Sequence, residues 1–400
     1  MPKSIWLLVI GMLVNNIGNS LIWPINSIYI HEQLGQTLTV AGFVLMINSG
    51  AGVIGSLIGG YLFDRIGGYK SIILGIVITI IALTGMTLWH GWPHYVIFLS
   101  IMGFGGGLVF PSMFAMVGVL WPEGGRRGFN SMYIAQNVGV AIGPALAGPL
   151  AEYSFDLIFI CNLGMYLVFF MIAFFGYRKL EGKVLTSNKK EKTTGKDKEQ
   201  SKDKSTLYSL LIISSVFLLA TIAYSQWAST MPSYMQGLGI SLKEYGLVWT
   251  INGLLIITLQ PLASPILNRY EHKIKSQLVV GVVIMMSSFV VIQFAESFTI
   301  FAVAMVIITI GEILVWPAIP SIANRLSPKG LEGMFQGVVT SAGSIGRMIG
   351  PLFGGIMVDQ FNMEILLWVL CIIFIIAIIP CLLYDRPLKK VKTITEQQEA

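Results

Sequence analysis

Long apolar stretches recur along the whole chain, and they constrain its fold more than any other feature. A helix that crosses a hydrocarbon core of about 30 Å needs at least about 18 consecutive apolar residues. Stretches of this kind lie at about 4–28, 38–63, 71–89, 93–119, 130–152, 157–177, 207–234, 245–268, 276–295, 298–324, 334–358 and 363–384. Charged residues make up only 12% of the chain, against about 25% in a soluble domain. The sequence therefore predicts an all-α membrane protein with twelve transmembrane helices.

The positions of the basic residues predict the orientation of these spans, because Lys and Arg near span ends are retained on the cytoplasmic side. With the N-terminus inside, all but two of the 26 Lys and Arg residues lie in cytoplasmic segments; Lys243 is outside and Arg347 is within a span. We therefore expect a multi-pass protein of the cell membrane, the inner membrane of a bacterium, with both termini cytoplasmic. The net charge of +6 then reflects topology, and nucleic acid is not an expected partner.

Metal, cofactor and catalytic signatures are weak. The three cysteines lie in apolar stretches, where a thiol is usually a small hydrophobe. His90 and His94 flank a Gly-Trp-Pro turn in a short loop. The sequence has no Gly-x4-Gly-Lys-Ser/Thr phosphate-binding loop. We expect no metal, no cofactor and no enzymatic activity.

A charged segment divides the chain into two similar halves. Residues 178–206 are almost devoid of apolar side chains, which is typical of a solvated linker. We expect a six-helix bundle at 1–177, this cytoplasmic linker, a second bundle at 207–384 and a cytoplasmic tail at 385–400. Short patterns recur between the halves: Ile47-Asn48 as Ile251-Asn252, and Gly143-Pro144 as Gly350-Pro351. Such internal repetition is the signature of a duplicated transporter fold.

The run GGYLFDRIGGYKS ends the second span, at residues 59–71. Asp64 stands at the membrane edge, where a carboxylate can interact with the positive N-terminal end of a neighbouring helix. Such a contact would act as a latch for one conformation. The run resembles the loop motif of the major facilitator superfamily, Gly-x-Leu-x-Asp-Arg-x-Gly followed by basic residues. The predicted latch comprises Gly60, Asp64, Arg65, Gly67 and Lys70.

The fifth span contains a second motif, GVAIGPALAG, at residues 139–148. Small residues four positions apart allow close helix packing, and a proline bends a helix. The run resembles the antiporter motif of the same superfamily, with Ala147 in place of one glycine; Gly139, Gly143, Pro144 and Gly148 match. The resemblance implies two pseudo-symmetric six-helix bundles. Many drug:proton antiporters of this family carry an arginine where this chain has Leu99, so proton coupling here must use another group.

Two charged residues lie deep in the membrane, and they are the candidates for proton coupling. Glu312 and Arg347 are each about 18 to 20 Å from the cytoplasmic face at 1.5 Å per residue. Intramembrane ionisable residues normally face a cavity, pair with each other or mark an ion pathway. Glu312 is interpreted as a proton-carrying carboxyl that pairs with Arg347 in one state. The alternatives are a fixed structural pair with Arg347 and a lipid-facing side chain without function.

Other polar and aromatic residues fall where the central cavity of this fold is expected. They are Asn16, Asn19, Trp23, Gln136, Asn137, Tyr224, Gln226, Trp227 and Trp316. Packing between helices and interhelical hydrogen bonds are the alternatives for each of them.

These features predict a secondary transporter that uses the proton gradient to export amphipathic small molecules, as a monomer in the lipid bilayer. One alternative is an exporter or symporter dedicated to a single metabolite. A more distant one is a membrane sensor built on a transporter scaffold.

Overall fold

The computed structural model describes residues 1–22, 26, 29–180 and 204–387, and this part of the chain folds into helices joined by short loops. The long helices are α1 (Lys3–Ile22), α2 (Leu38–Ile66), α3 (Gly68–Leu88), α4 (His94–Leu120), α5 (Arg126–Tyr153), α6 (Phe155–Ile172), α7 (Lys204–Tyr224), α8 (Leu242–Arg269), α9 (Ile274–Ile292), α10 (Phe298–Val315), α11 (Glu332–Gln360) and α12 (Met363–Leu383).

Three of these helices continue as shorter elements. A π-helical turn at Ala173–Tyr177 extends α6, and two short helices at Gln226–Ser229 and Met231–Gly237 follow α7. The helix Ala318–Leu326 follows α10. The predicted linker at 178–206 lies mostly outside the described residues.

Within the described part of the chain, ten helices are long and apolar enough to cross a membrane. The two other long helices, α5 and α11, have 28 and 29 residues and are not among these ten. They contain many glycine and polar residues, which suits helices that pack against protein more than against lipid. The arrangement is that of an all-α membrane protein and is consistent with twelve spans.

The chain forms two compact units. The first comprises Met1–Asp197 with Lys329–Ser344, and the second comprises Lys198–Pro328 with Ile345–Ala400. The long helix α11 therefore contributes its first half to one unit and its second half to the other. The predicted bundle boundaries at 177 and 207 stay a prediction.

Glycines bring α1 and α5 together in the first unit. A Cβ on Gly139 would lie 2.6 Å from the Cβ of Asn16, and a Cβ on Gly143 would overlap Ser20. Pro144 and Gly148 of the same motif lie within α5. Gly139 and Gly143 thus act in helix packing, as small residues at a membrane helix interface usually do.

The second unit repeats this packing between α7 and α11. A Cβ on Gly346 would lie 2.8 Å from the Cβ of Thr221, and a Cβ on Gly350 would overlap Ser225. These glycines are the repeat equivalents of Gly139 and Gly143. The internal repetition seen in the sequence is therefore also a repetition of helix contacts.

The contact at Gly143 leads to a prediction about stability. Gly143→Ala should destabilise the protein by about 1 to 3 kcal/mol, because the added methyl group would be forced into Ser20 and the carbonyl oxygen of Ile17, 3.1 Å away. Gly164→Ala is the matched control, since a Cβ there meets no atom within 4 Å. Thermal unfolding in detergent should show a lower midpoint for Gly143→Ala only. Equal midpoints for the two variants would contradict the packing role.

Candidate functional site

The carboxylate of Glu312 is the centre of a buried polar cluster in the second unit. Its side chain is 1% exposed. The Nδ2 of Asn252 on α8 donates to Oε2 at 2.7 Å, and the Nε1 of Trp316 donates to Oε1 at 3.3 Å. The hydroxyl of Tyr224 on α7 also interacts with the Glu312 carboxylate. All three partners are electrically neutral.

Asn252 on α8 also contacts a second residue of α10, the helix that carries Glu312. Its Nδ2 donates to the hydroxyl of Thr309 at 2.9 Å, and that hydroxyl donates to the carbonyl oxygen of Met305 at 2.7 Å. Buried polar networks of this kind hold their members in fixed positions when every group is satisfied. The position of the Glu312 carboxylate is therefore set by α8 and α10 together.

Aromatic rings surround this cluster. Tyr224 lies edge-on to Trp316 and to Trp249, with ring centroids 5.7 and 6.3 Å apart. Phe217 lies edge-on to Trp316 at 5.3 Å. All four rings are partly exposed, whereas the carboxylate is buried. A buried acid is thus bordered by amphipathic and apolar rings that a small organic molecule can contact.

Among the described residues of the first unit, the repeat positions of this cluster hold no acid. Gly106 occupies the repeat position of Glu312, and a Cβ at Gly106 would meet no atom within 4 Å. Gly103 occupies the repeat position of Thr309, and Asn48 that of Asn252. The amide is therefore present in both halves, whereas the acid and the threonine occur at these repeat positions in the second half only.

Arg347 lies in the part of α11 that belongs to the second unit, and its side chain is exposed. It is not among the groups that contact the Glu312 carboxylate in the described part of the chain. The structure therefore shows Glu312 held by neutral donors. Its pairing with Arg347 in another state stays a prediction.

Two predicted cavity residues are packed inside the second unit. Gln226 is fully buried, and its Nε2 donates to the carbonyl oxygens of Gly350 at 2.8 Å and Ile222 at 3.1 Å. Trp227 is also fully buried, and its carbonyl oxygen accepts a hydrogen bond from Tyr245 at 2.9 Å. Both side chains are enclosed by the packing of this unit, and their role in a substrate cavity stays a prediction.

The predicted cavity residues of the first unit differ in their surroundings. Asn16 is buried and donates to the carbonyl oxygen of Met12 in its own helix at 2.8 Å. The Oδ1 of Asn19 accepts a hydrogen bond from Tyr166 at 2.8 Å, which links α1 to α6. Gln136 and Asn137 are partly exposed and stay candidates for contact with substrate. Trp23 lies outside the described residues.

Asp64 forms the contact that its motif predicted. Its Oδ1 accepts from the backbone N–H of Gly333, and its Oδ2 from that of Met334, both at 2.8 Å. These two N–H groups belong to the first turn of α11, where helical donors have no partner within the helix. Asp64 therefore caps a neighbouring helix and also faces the positive end of its dipole.

The other predicted latch residues shape the same region. Gly60 lies so close to α11 that an added Cβ would overlap the carbonyl oxygen of Gly333. Gly67 ends α2 with a φ of 92°, a conformation that glycine adopts readily. The Arg65 guanidinium lies 5.2 Å from the ring centroid of Tyr61, and Lys70 is exposed on α3. The capping contact thus depends mainly on Asp64 and Gly60.

The helices form two repeated sets, with small-residue contacts within each set, and one buried acid lies in the described part of the chain. These are features of a membrane transport protein. The sequence matches the Major Facilitator Superfamily over residues 8–348 and again over 234–400. The chain belongs to this family of transporters, and it is not an enzyme.

Similar proteins agree with this assignment. The chain is 48% identical to an uncharacterized MFS-type transporter, YttB of Bacillus subtilis (strain 168), over 99% of both chains. It is 26% identical to a Na(+), Li(+), K(+)/H(+) antiporter of Planococcus maritimus, over 88% of both chains. It is also 26% identical to the multidrug resistance protein MdtH of Shigella dysenteriae serotype 1, over 88% of this chain and 86% of MdtH.

A solved structure shares the fold. A bacterial homologue of the iron transporter ferroportin, in an outward-facing state, superimposes with a TM-score of 0.76 at 16% identity. The match covers 96% of this chain and 100% of that chain. At this identity the likeness supports the fold alone.

Proposed function

We propose that this protein exports amphipathic small molecules in exchange for protons, with Glu312 as the group that carries the proton. The observation that supports this proposal is the burial of the Glu312 carboxyl among neutral hydrogen-bond donors. A fixed ion pair would hold the carboxyl in its charged form, whereas neutral partners allow both protonation states.

Tyr224 makes both states compatible with the same cluster. The amide N–H of Asn252 and the indole N–H of Trp316 can only donate, and they suit a carboxylate. A protonated carboxyl needs an acceptor for its own O–H, and a hydroxyl can either donate or accept. Tyr224 can therefore donate to the charged form and accept from the neutral form after rotation of its O–H bond.

The aromatic surroundings of Glu312 favour an organic substrate. The rings of Trp249, Tyr224 and Trp316 offer apolar contact area beside the acid. A hard cation such as Ca²⁺ takes about six to eight oxygen ligands, and the carboxylate already accepts N–H donors from Asn252 and Trp316. These contacts favour amphipathic molecules over bare metal ions.

The direction of transport is proposed from the relatives and from the antiporter motif in α5. The names of MdtH and of the P. maritimus protein describe drug resistance and cation:proton antiport, at 26% identity each. We further propose that the protein acts as a monomer of the bacterial cell membrane, with both termini cytoplasmic and the proton gradient as its only energy source. Transport of a single metabolite, by export or symport, is the alternative.

Accumulation of a panel of dyes and drugs in energised cells tests this proposal. Cells that express the protein should accumulate less of several unrelated amphipathic compounds than cells with an empty vector. A protonophore should remove the difference. Export of one compound only would favour the dedicated transporter. A difference that persists without a proton gradient would overturn proton coupling.

Tyr224→Phe tests the hydrogen-bonding argument. The variant should export about five- to tenfold more slowly in the presence of a pH gradient, since a hydrogen bond of about 1 kcal/mol to the protonated carboxyl is lost. Tyr234→Phe is the control, because Tyr234 is a partly buried tyrosine of the same unit that packs against Phe301. Equal rates for the two variants in proteoliposomes would contradict a role for the Tyr224 hydroxyl.

A further inference from the structure

A groove lies between the beginning of α1 and the end of α6, in the first unit. Its volume is about 480 Å³. The residues that line it include Lys3, Ser4 and Leu7 from α1, and Met171, Phe175 and Lys179 from the other wall. The groove combines two positive charges with apolar walls.

The π-helical turn at Ala173–Tyr177 forms one side of this groove. Gly176 lies against Leu7, where an added Cβ would overlap the leucine side chain. Tyr177 is fully buried, and its hydroxyl lies 3.5 Å from the carbonyl oxygen of Leu7. The wall is therefore held in place by packing below the groove, while Met171 and Phe175 are exposed above it.

The lysines mark the membrane edge. Lys3 lies in the first turn of α1, and Lys179 follows the π-helical turn at the end of the sixth span; both are exposed. Trp6, also in the beginning of α1, is 55% exposed, and tryptophan is enriched at the level of lipid headgroups. Two cations at headgroup level thus lie above side chains that face the acyl chains.

We propose that this groove binds one anionic phospholipid. The headgroup phosphate lies between Lys3 and Lys179, and an acyl chain lies along Met171 and Phe175. Basic pockets between transmembrane helices are suited to anionic headgroups. A soluble anion would gain nothing from the apolar walls, whereas a lipid uses both parts of the groove.

Native mass spectrometry of the full chain in detergent, with added phosphatidylglycerol or phosphatidylcholine, tests the proposal. The wild type should retain one phosphatidylglycerol molecule more tightly than phosphatidylcholine. Lys3→Gln combined with Lys179→Gln should weaken this binding by about 30-fold, since each lysine near an anionic surface contributes about a factor of five. The control is Lys243→Gln combined with Lys273→Gln, which removes the same charge from exposed positions elsewhere and should leave binding unchanged.

Ser4→Phe distinguishes binding of the lipid in the groove from attraction of the lipid by surface charge alone. The phenyl ring fills the groove and leaves both lysines in place, so phosphatidylglycerol binding should fall while the net charge is constant. Inorganic phosphate should not displace the lipid. The proposal is overturned if Ser4→Phe binds as the wild type does, if both lysine pairs have equal effects, or if phosphate competes with the lipid.

Discussion

Glu312→Gln is expected to abolish substrate accumulation driven by a pH gradient, while exchange of substrate down its own gradient continues. Glutamine has nearly the size of glutamic acid, and its Oε1 can still accept from Asn252 or Trp316, so the cluster should persist. A glutamine cannot release a proton, and the two half-cycles are then no longer coupled. In proteoliposomes the gradient-driven signal should fall to the level that a protonophore produces.

The same variant distinguishes the proton carrier from a fixed partner of Arg347. If Glu312 only neutralised Arg347, its loss would leave an unpaired arginine within a span, at a cost of about 2.5 to 3.5 kcal/mol. The variant would then be unstable, and Arg347→Gln in the same chain would restore it. Glu296→Gln, at an exposed position, is the control. If a stable Glu312→Gln protein showed full transport driven by the pH gradient, Glu312 could not be the proton carrier.

Asp64→Asn is expected to slow turnover about tenfold and to leave substrate affinity nearly unchanged. Asparagine has one oxygen that accepts, so one of the N–H groups of Gly333 and Met334 loses its partner, and the charge that faces the helix dipole is lost. Together these losses are worth about 1.4 kcal/mol, which corresponds to a factor of about ten. The cap is not part of the polar cluster around Glu312, so its loss should affect the populations of conformations and not the binding of substrate.

Two measurements on Asp64→Asn test this role. Equilibrium binding should match the wild type, and the rate of conformational exchange, followed with a fluorophore on α11, should change. Asp359→Asn provides a control at an exposed position of the same helix. Weak binding together with unaltered exchange would count against a latch.

The sequence predicted the helices well because a bilayer imposes a minimum length on every span. It missed the interruptions within two of them. The predicted span at 298–324 breaks after Val315, where Pro317 has no N–H to donate. The predicted span at 207–234 breaks after Tyr224 and resumes in short helices. A hydropathy pattern reports that a stretch is apolar and does not report whether its backbone is continuous.

The candidate site was predicted only in part. Glu312 was evident as an isolated charge in an apolar span, and Tyr224 and Trp316 were predicted to lie near the cavity. Asn252 was recognised as part of the internal repeat, yet nothing local showed that its side chain points at Glu312, 60 residues away. Gln226 is close to Tyr224 in sequence but lies beyond the end of α7, where the direction of side chains cannot be read from a regular helical period.

The partner of Asp64 shows the same limit. The sequence indicated that a carboxylate at the end of α2 could cap a helix, because of its charge and position. It could not indicate which helix, since the capped N–H groups lie 269 and 270 residues further along the chain. Contacts of this range depend on the packing of whole helices and not on any local pattern.

Proton release on substrate binding tests the central claim most directly. Purified protein in weakly buffered detergent solution is mixed with the compound of the panel that is exported most, and a pH indicator reports proton release. The wild type should release protons in proportion to the substrate bound, and Glu312→Gln should bind the substrate without releasing any. Equal proton release by the two proteins would show that another group carries the proton and would contradict the proposed role of Glu312.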